Sequence, residues 1–199
     1  MTNGFEKRKE RKKEGIRHAA IELFKKYGFS KVSINDIARK AGVSHVTVYN
    51  HFGSKEELVY SVIKAEIDKL MDKSREIIRG DLPFMKKLES IIFNKANIAS
   101  QYEGEMMKEA VQNSPQMYKY IDELWQNETN QLIAELVEEG RELGYINKEL
   151  SREAIIYYFD MIRAGAFASS EMLNKIKIDA KLACDLNTLF LFGLVEKKD

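Results

Sequence analysis

Apolar residues recur at helical spacing along almost the whole chain, and every element they predict is a helix. Ile16, Ala19, Ala20, Leu23, Phe24 and Tyr27 form one stripe on a helix over about residues 7–27, which Gly28 ends as a left-handed cap. Ser33 with Asp36 opens a second helix over about 34–41 in a capping arrangement. A short third helix, about 45–51, starts after Ser44 and is broken by Gly53. Ser54-x-x-Glu57 is a capping box for a long helix over about 54–79. Further helices are expected at about 83–101, 105–112, 115–139, 152–172 and 179–194. Between them stand Gly80-Asp81-Leu82-Pro83, Ser114-Pro115 and Leu143-Gly144-Tyr145-Ile146-Asn147, with Ser151 as a further cap. The fold class is all-α.

Residues 33–55 carry the densest pattern. Ala38 is small where two helices cross, and Gly42 sits where the chain turns and a Cβ is costly. Val43 and Val48 can plug the space between the helices, and Ser44 can cap the second of them. This is helix-turn-helix spacing. The second helix must then turn His45, Thr47, Tyr49, Asn50 and His51 outward, and a short helix with polar tips fits the major groove of DNA. His45, Val46, Thr47 and Asn50 are the candidates for base edges. Asn can pair bidentately with adenine, and Thr or Val can meet a thymine methyl.

The segment resembles the DNA-binding signature of the TetR family of bacterial transcriptional regulators. The resemblance rests on Leu23, Phe24, Tyr27, Gly28 and Phe29, on Ser33-Ile34, and on Ile37-Ala38. It continues through Ala41-Gly42-Val43-Ser44, Val48-Tyr49-x-His51-Phe52 and Ser54-Lys55-Glu56-Glu57-Leu58. It covers roughly the first 60 residues, and the rest carries no matching motif. The resemblance implies a three-helix DNA-binding domain over 1–53. A long helix joins it to a helical ligand-binding and dimerisation domain over 54–199. By the same resemblance Tyr49, His51 and Lys55 stand where the family contacts phosphates. Lys55 also lies at a helix start, where the backbone favours an anion. Ser33, Ser44 and Thr47 add hydroxyl groups that position without specifying sequence.

A homodimer through the two C-terminal helices is implied as well, and the sequence permits it. Residues 154–173 combine a broad apolar face with Ala164, Gly165, Ala166, Ala168 and Ser169, and Leu182, Leu186, Leu189, Phe190 and Leu194 follow. Both helices could equally close a monomer core. Two reading helices about 34–36 Å apart demand a palindromic double-stranded operator.

Charge sharpens this division. The net charge of +1 conceals 13 Lys and Arg against 5 Asp and Glu in residues 1–55, a balance of +8 that suits phosphates. The remainder is acidic and favours docking by the N-terminal end alone. Lys7, Arg8, Lys9, Arg11, Lys12 and Lys13 can follow the DNA backbone or enter a minor groove, or form a solvated face with Glu6, Glu10 and Glu14. His18, beside Ala19 and Ala20, reads as structural. The single Cys184 excludes an intramolecular disulfide and fits a reducing cytosol. No stretch approaches the roughly 20 apolar residues of a membrane span, and the basic N-terminus lacks the apolar core of a signal peptide. A cytoplasmic protein with no membrane partner is expected.

Residues 83–172 are rich in Met and aromatic side chains, which can line an adaptable pocket or simply fill a bundle. The resemblance implies a pocket for an unknown small-molecule effector. Its candidate residues are Phe93, Asn97, Gln101, Tyr102, Met106, Trp125, Tyr158, Asp160 and Met161. All three histidines precede residue 52, which argues against an imidazole metal site there, and no cofactor is called for. The chain has no nucleophile elbow, phosphate-cradling glycine loop, HExxH or Cys/His cluster, so an enzyme is not expected. The expected function is a DNA-binding regulator, a homodimeric repressor released by a small hydrophobic ligand. The alternatives are a corepressor-dependent regulator and a ligand-independent architectural dimer.

Overall fold

A computed structural model describes residues 4–91 and 114–168, with positions 179, 181, 182, 185, 186, 188 and 189 near the C-terminus. Among them the regular structure is helical. The helices are α1 (Gly4–Tyr27), α2 (Ile34–Ala41), α3 (His45–Phe52), α4 (Lys55–Arg79), α5 (residues 84–91), α6 (Pro115–Leu124), α7 (Asn130–Glu142) and α8 (Arg152–Ala168). A π-helical turn, Trp125–Thr129, joins α6 to α7 without a break. The expected helices over 105–112 and beyond 168 fall largely outside the described residues.

Serine sets most of the helix starts. Ser33, Ser44, Ser54, Ser114 and Ser151 each accept, through Oγ, the backbone N–H three residues on, at 3.0–3.2 Å. An orphan donor in the first turn is thereby satisfied locally. At Ser33 the box is closed both ways, because its own N–H donates to the Asp36 carboxylate at 3.1 Å.

The described residues pack as two compact units. The first holds residues 4–70 with 114–117, and the second holds 71–91 with residues from 118 onward. The division between the two units falls inside α4. The cause is the apolar face of α4's first half: Leu58, Val62 and Ile63 are buried in the first unit with Ile16, Ala20, Phe24, Ile37 and Val48. Phe24 and Phe29 meet edge to face, 4.8 Å between ring centres. Lys40 pairs with Glu22 at 2.6 Å, which ties α2 to α1. Arg17 on α1 donates to Glu10 and Glu14 at 2.7 Å and reaches Ser61 on α4 at 3.5 Å.

In the second unit Ile78, Phe84, Leu88, Trp125, Leu132, Leu136, Val137, Ile146 and Ile155 form the core. Lys87 is buried there. Its ammonium donates to both Glu139 carboxylate oxygens at 2.8 Å and to the Ile78 carbonyl at 2.9 Å. Arg75 pairs with Glu128, and Arg79 grips Glu135 with two 2.9 Å bonds. No helix among the described residues is long and apolar enough to cross a membrane.

Candidate nucleic-acid interface

Gly42 creates the geometry of the interface. Its φ of 67° is left-handed, a conformation open to glycine at little cost, and it reverses the chain between α2 and α3. The backbone N–H of Val43 then returns to the Ala38 carbonyl at 3.0 Å and closes the end of α2. Val48, 1% exposed, anchors α3 against the first unit, and the opposite face of α3 is left to solvent.

That outer face carries the expected readers. His45 and Asn50 are exposed, Val46 is 51% exposed and Tyr49 47%. His45 and Tyr49 stand edge to face, 6.3 Å apart, which orients both rings on the first turns of α3. Thr47 is half-buried, with Oγ1 2.9 Å from Ser44 Oγ. Lys55 occupies the first position of α4 and is half-buried. It borders a cleft of about 360 Å³ within the first unit, floored by Phe29, Val59, Tyr60 and Met117. Sequence pattern gave no sign of this cleft, because Ser114–Met117 joins the unit from far along the chain.

Ser33 is exposed, and its hydroxyl donates to Asp36 at 2.5 Å while accepting that residue's N–H. This pairing holds the Asp36 carboxyl below its ordinary value. His51, expected to face outward, does so only in part. It is half-buried with Nδ1 shielded from solvent, and burial, then the charges of Lys13, Lys9 and Lys12, hold its imidazole below the usual value. His18, read as structural, is 72% exposed and lies 3.8 Å from Glu22 one turn along α1.

The effector candidates divide. Phe93, Asn97, Gln101, Tyr102 and Met106 lie outside the described residues. Trp125 is buried in the core of the second unit, and Tyr158 is partly buried against the same core. Asp160 is half-buried. Met161 is 65% exposed on α8, as Tyr157 is at 69%, so it does not line the interior of the unit. Among the described residues no group of three His, Cys, Asp or Glu is placed to hold a metal.

Known proteins match this arrangement. The family model described as bacterial regulatory proteins, tetR family, matches residues 16–62, from the first buried residue of α1 into the first third of α4. The transcriptional repressor KstR2 of Rhodococcus jostii is 34% identical over 73 residues, 37% of this chain and 36% of the relative. The chain therefore spans only about a third of that relative's length. KstR2 of Mycobacterium tuberculosis is 26% identical over 148 residues, 70% of this chain and 71% of the relative. The crystal structure of FadR from Bacillus subtilis, in complex with stearoyl-CoA, superposes with a TM-score of 0.64 at 19% identity. That match covers 94% of this chain and 99% of the other, and establishes a shared fold.

Proposed function

We propose that this chain, whose N-terminal domain belongs to the tetR family of bacterial regulatory proteins, is a homodimeric transcriptional repressor. Its α3 reads a palindromic operator in the major groove. The observation that carries the reading is the division of α3 into a buried Val48 and an exposed face of His45, Val46, Tyr49 and Asn50. His45, Val46, Thr47 and Asn50 reach base edges, while Tyr49, His51 and Lys55 hold phosphates.

Dimerisation runs through the two C-terminal helices. Tyr157 and Met161 are four residues apart on one face of α8, and Leu189 is 67% exposed. Apolar surface of this kind is covered when a second copy docks. The repressor is released by a small apolar effector that binds the C-terminal unit beside Trp125 and Tyr158. The stearoyl-CoA held by the Bacillus subtilis FadR supports an apolar class of ligand. Such an effector acts only by binding the form that does not hold DNA more tightly than the form that does. Because α4 supplies residues to both units, it is the element through which that preference reaches α3.

Selection of bound sequences from a random duplex library with purified protein tests the reading. Two enriched half-sites related by a two-fold axis support it. A single unsymmetrical site, or no enrichment despite salt-sensitive binding, favours the architectural alternative.

A further inference from the structure

The stripe of α1 that packs the first unit changes chemistry halfway along the helix. Ile16, Ala19, Ala20 and Phe24 are buried on it. Helical periodicity places Lys9, Lys12 and Lys13 on the same face, one turn and more towards the N-terminus. Residues 4–12 are exposed, so this part of α1 extends beyond the core it belongs to. Two of the three acidic residues of the arm are engaged by an arginine, although Glu10 still acts on His51 against the lysines and Glu6 stays on the exposed part of the helix. Glu10 and Glu14 are both held by Arg17, which faces Ser61 of α4. Among the described residues Lys9, Lys12 and Lys13 form no ion pair, whereas Lys25, Lys40, Lys64 and Lys69 do. All three lysines lie close enough to His51, in the last turn of α3, to act on its charge.

From this we infer that the Lys9–Lys12–Lys13 face of α1 is a second phosphate-binding surface, continuous with the end of α3, that carries DNA contact along the backbone beyond the bases α3 reads. The inference rests on the DNA-binding reading above. Three like charges acting on a half-buried histidine, with only Glu10 opposing them there, repel one another in the free protein, and a phosphodiester backbone is an anion that relieves the repulsion. Lys7 and Arg11, also four residues apart, lie on the far side of α1 and are not part of this surface.

Two double variants with the same loss of charge separate contact from diffuse attraction. Lys9→Ala with Lys13→Ala removes the inner face, and Lys7→Ala with Arg11→Ala removes the outer one. Alanine keeps the helix in both. Binding of a mixed-sequence duplex is followed across a range of salt concentrations. The inner pair is expected to lower the slope of log K against log salt by about 1–2, at roughly 0.9 for each phosphate that is no longer neutralised. The outer pair is expected to change it by much less. Equal changes for the two pairs, or no change for the inner pair, overturn the inference while leaving the DNA reading intact. Wild-type protein that binds no duplex at low salt removes the DNA reading and this surface with it.

Discussion

The Thr47 backbone N–H donates to Ser44 Oγ at 3.1 Å, and the Thr47 hydroxyl lies 2.9 Å from the same oxygen. This pair begins α3 and fixes where its first turn points. A helix of eight residues has few backbone bonds of its own, so its cap is a large share of what holds it. Ser44→Ala is expected to cost about 1 kcal/mol of stability. DNA affinity should fall by more than the folded fraction alone explains, because the first turn carries His45 and Val46. Denaturant melts and duplex titrations on the same samples check this, and affinity that simply follows the folded fraction would count against the cap's role in aiming the helix.

His51 makes stability depend on pH. Burial, and after it Lys13, Lys9 and Lys12, depress its folded value below the ordinary 6.5, with Glu10 opposing. The unfolded chain thus takes up this proton at a higher pH than the folded chain. Stability should fall as the pH drops through 6.5 and level off below the folded value. His51→Gln should flatten the denaturation midpoint across that window. The depressed carboxyls of Glu10, Glu22 and Asp36 act near and below their ordinary values of 4.5, 4.5 and 3.8, where stability is lost as they protonate. A His51→Gln profile identical to wild type would mean that the imidazole titrates as in solution.

Lys87 and Glu139 are a pair that cannot be broken from one side. Glu139→Gln leaves a buried ammonium with one carbonyl and an amide oxygen, and about 3 kcal/mol of stability should be lost. Lys87→Met with Glu139→Gln should recover part of it, because no charge is then left buried. A double variant less stable than Glu139→Gln alone would contradict this account.

Gly140 lies where α7 meets the loop that follows. A Cβ there would come within 2.6 Å of the Phe84 ring tip and 2.7 Å of Ile146 Cδ1, both side chains being buried. Alanine favours a helix by up to about 1 kcal/mol, but overpacking a filled core costs about 1–3. Gly140→Ala should be destabilising on balance in thermal melts, and a raised melting temperature would show that the site has room.

Much of this was legible in the chain. Caps are local, so Ser33, Ser44, Ser54, Ser114 and Ser151 announced their helices, and the positions of α2, α3 and α4 followed closely. The start of α1 at Gly4 was less visible, since Lys, Arg and Glu favour helix without any apolar period to mark it. The π turn at Trp125–Thr129 left no trace, because no glycine, proline or side-chain cap marks it in the sequence. The tuck of His51 depends on α1, more than thirty residues away in sequence, and spacing within the motif could not report it. The exposure of Met161 was hidden for a related reason: a methionine in an apolar run has no signature for which side of α8 it takes.

The central claim is that the outer face of α3 reads sequence. The most direct measurement is to repeat the duplex selection with Asn50→Ala beside the wild type. The account predicts that preference relaxes at one base pair in each half-site, by about 1–3 kcal/mol, while the other positions and the two-fold symmetry persist. An enriched sequence identical to that of the wild type would contradict it and take Asn50 out of the reading face.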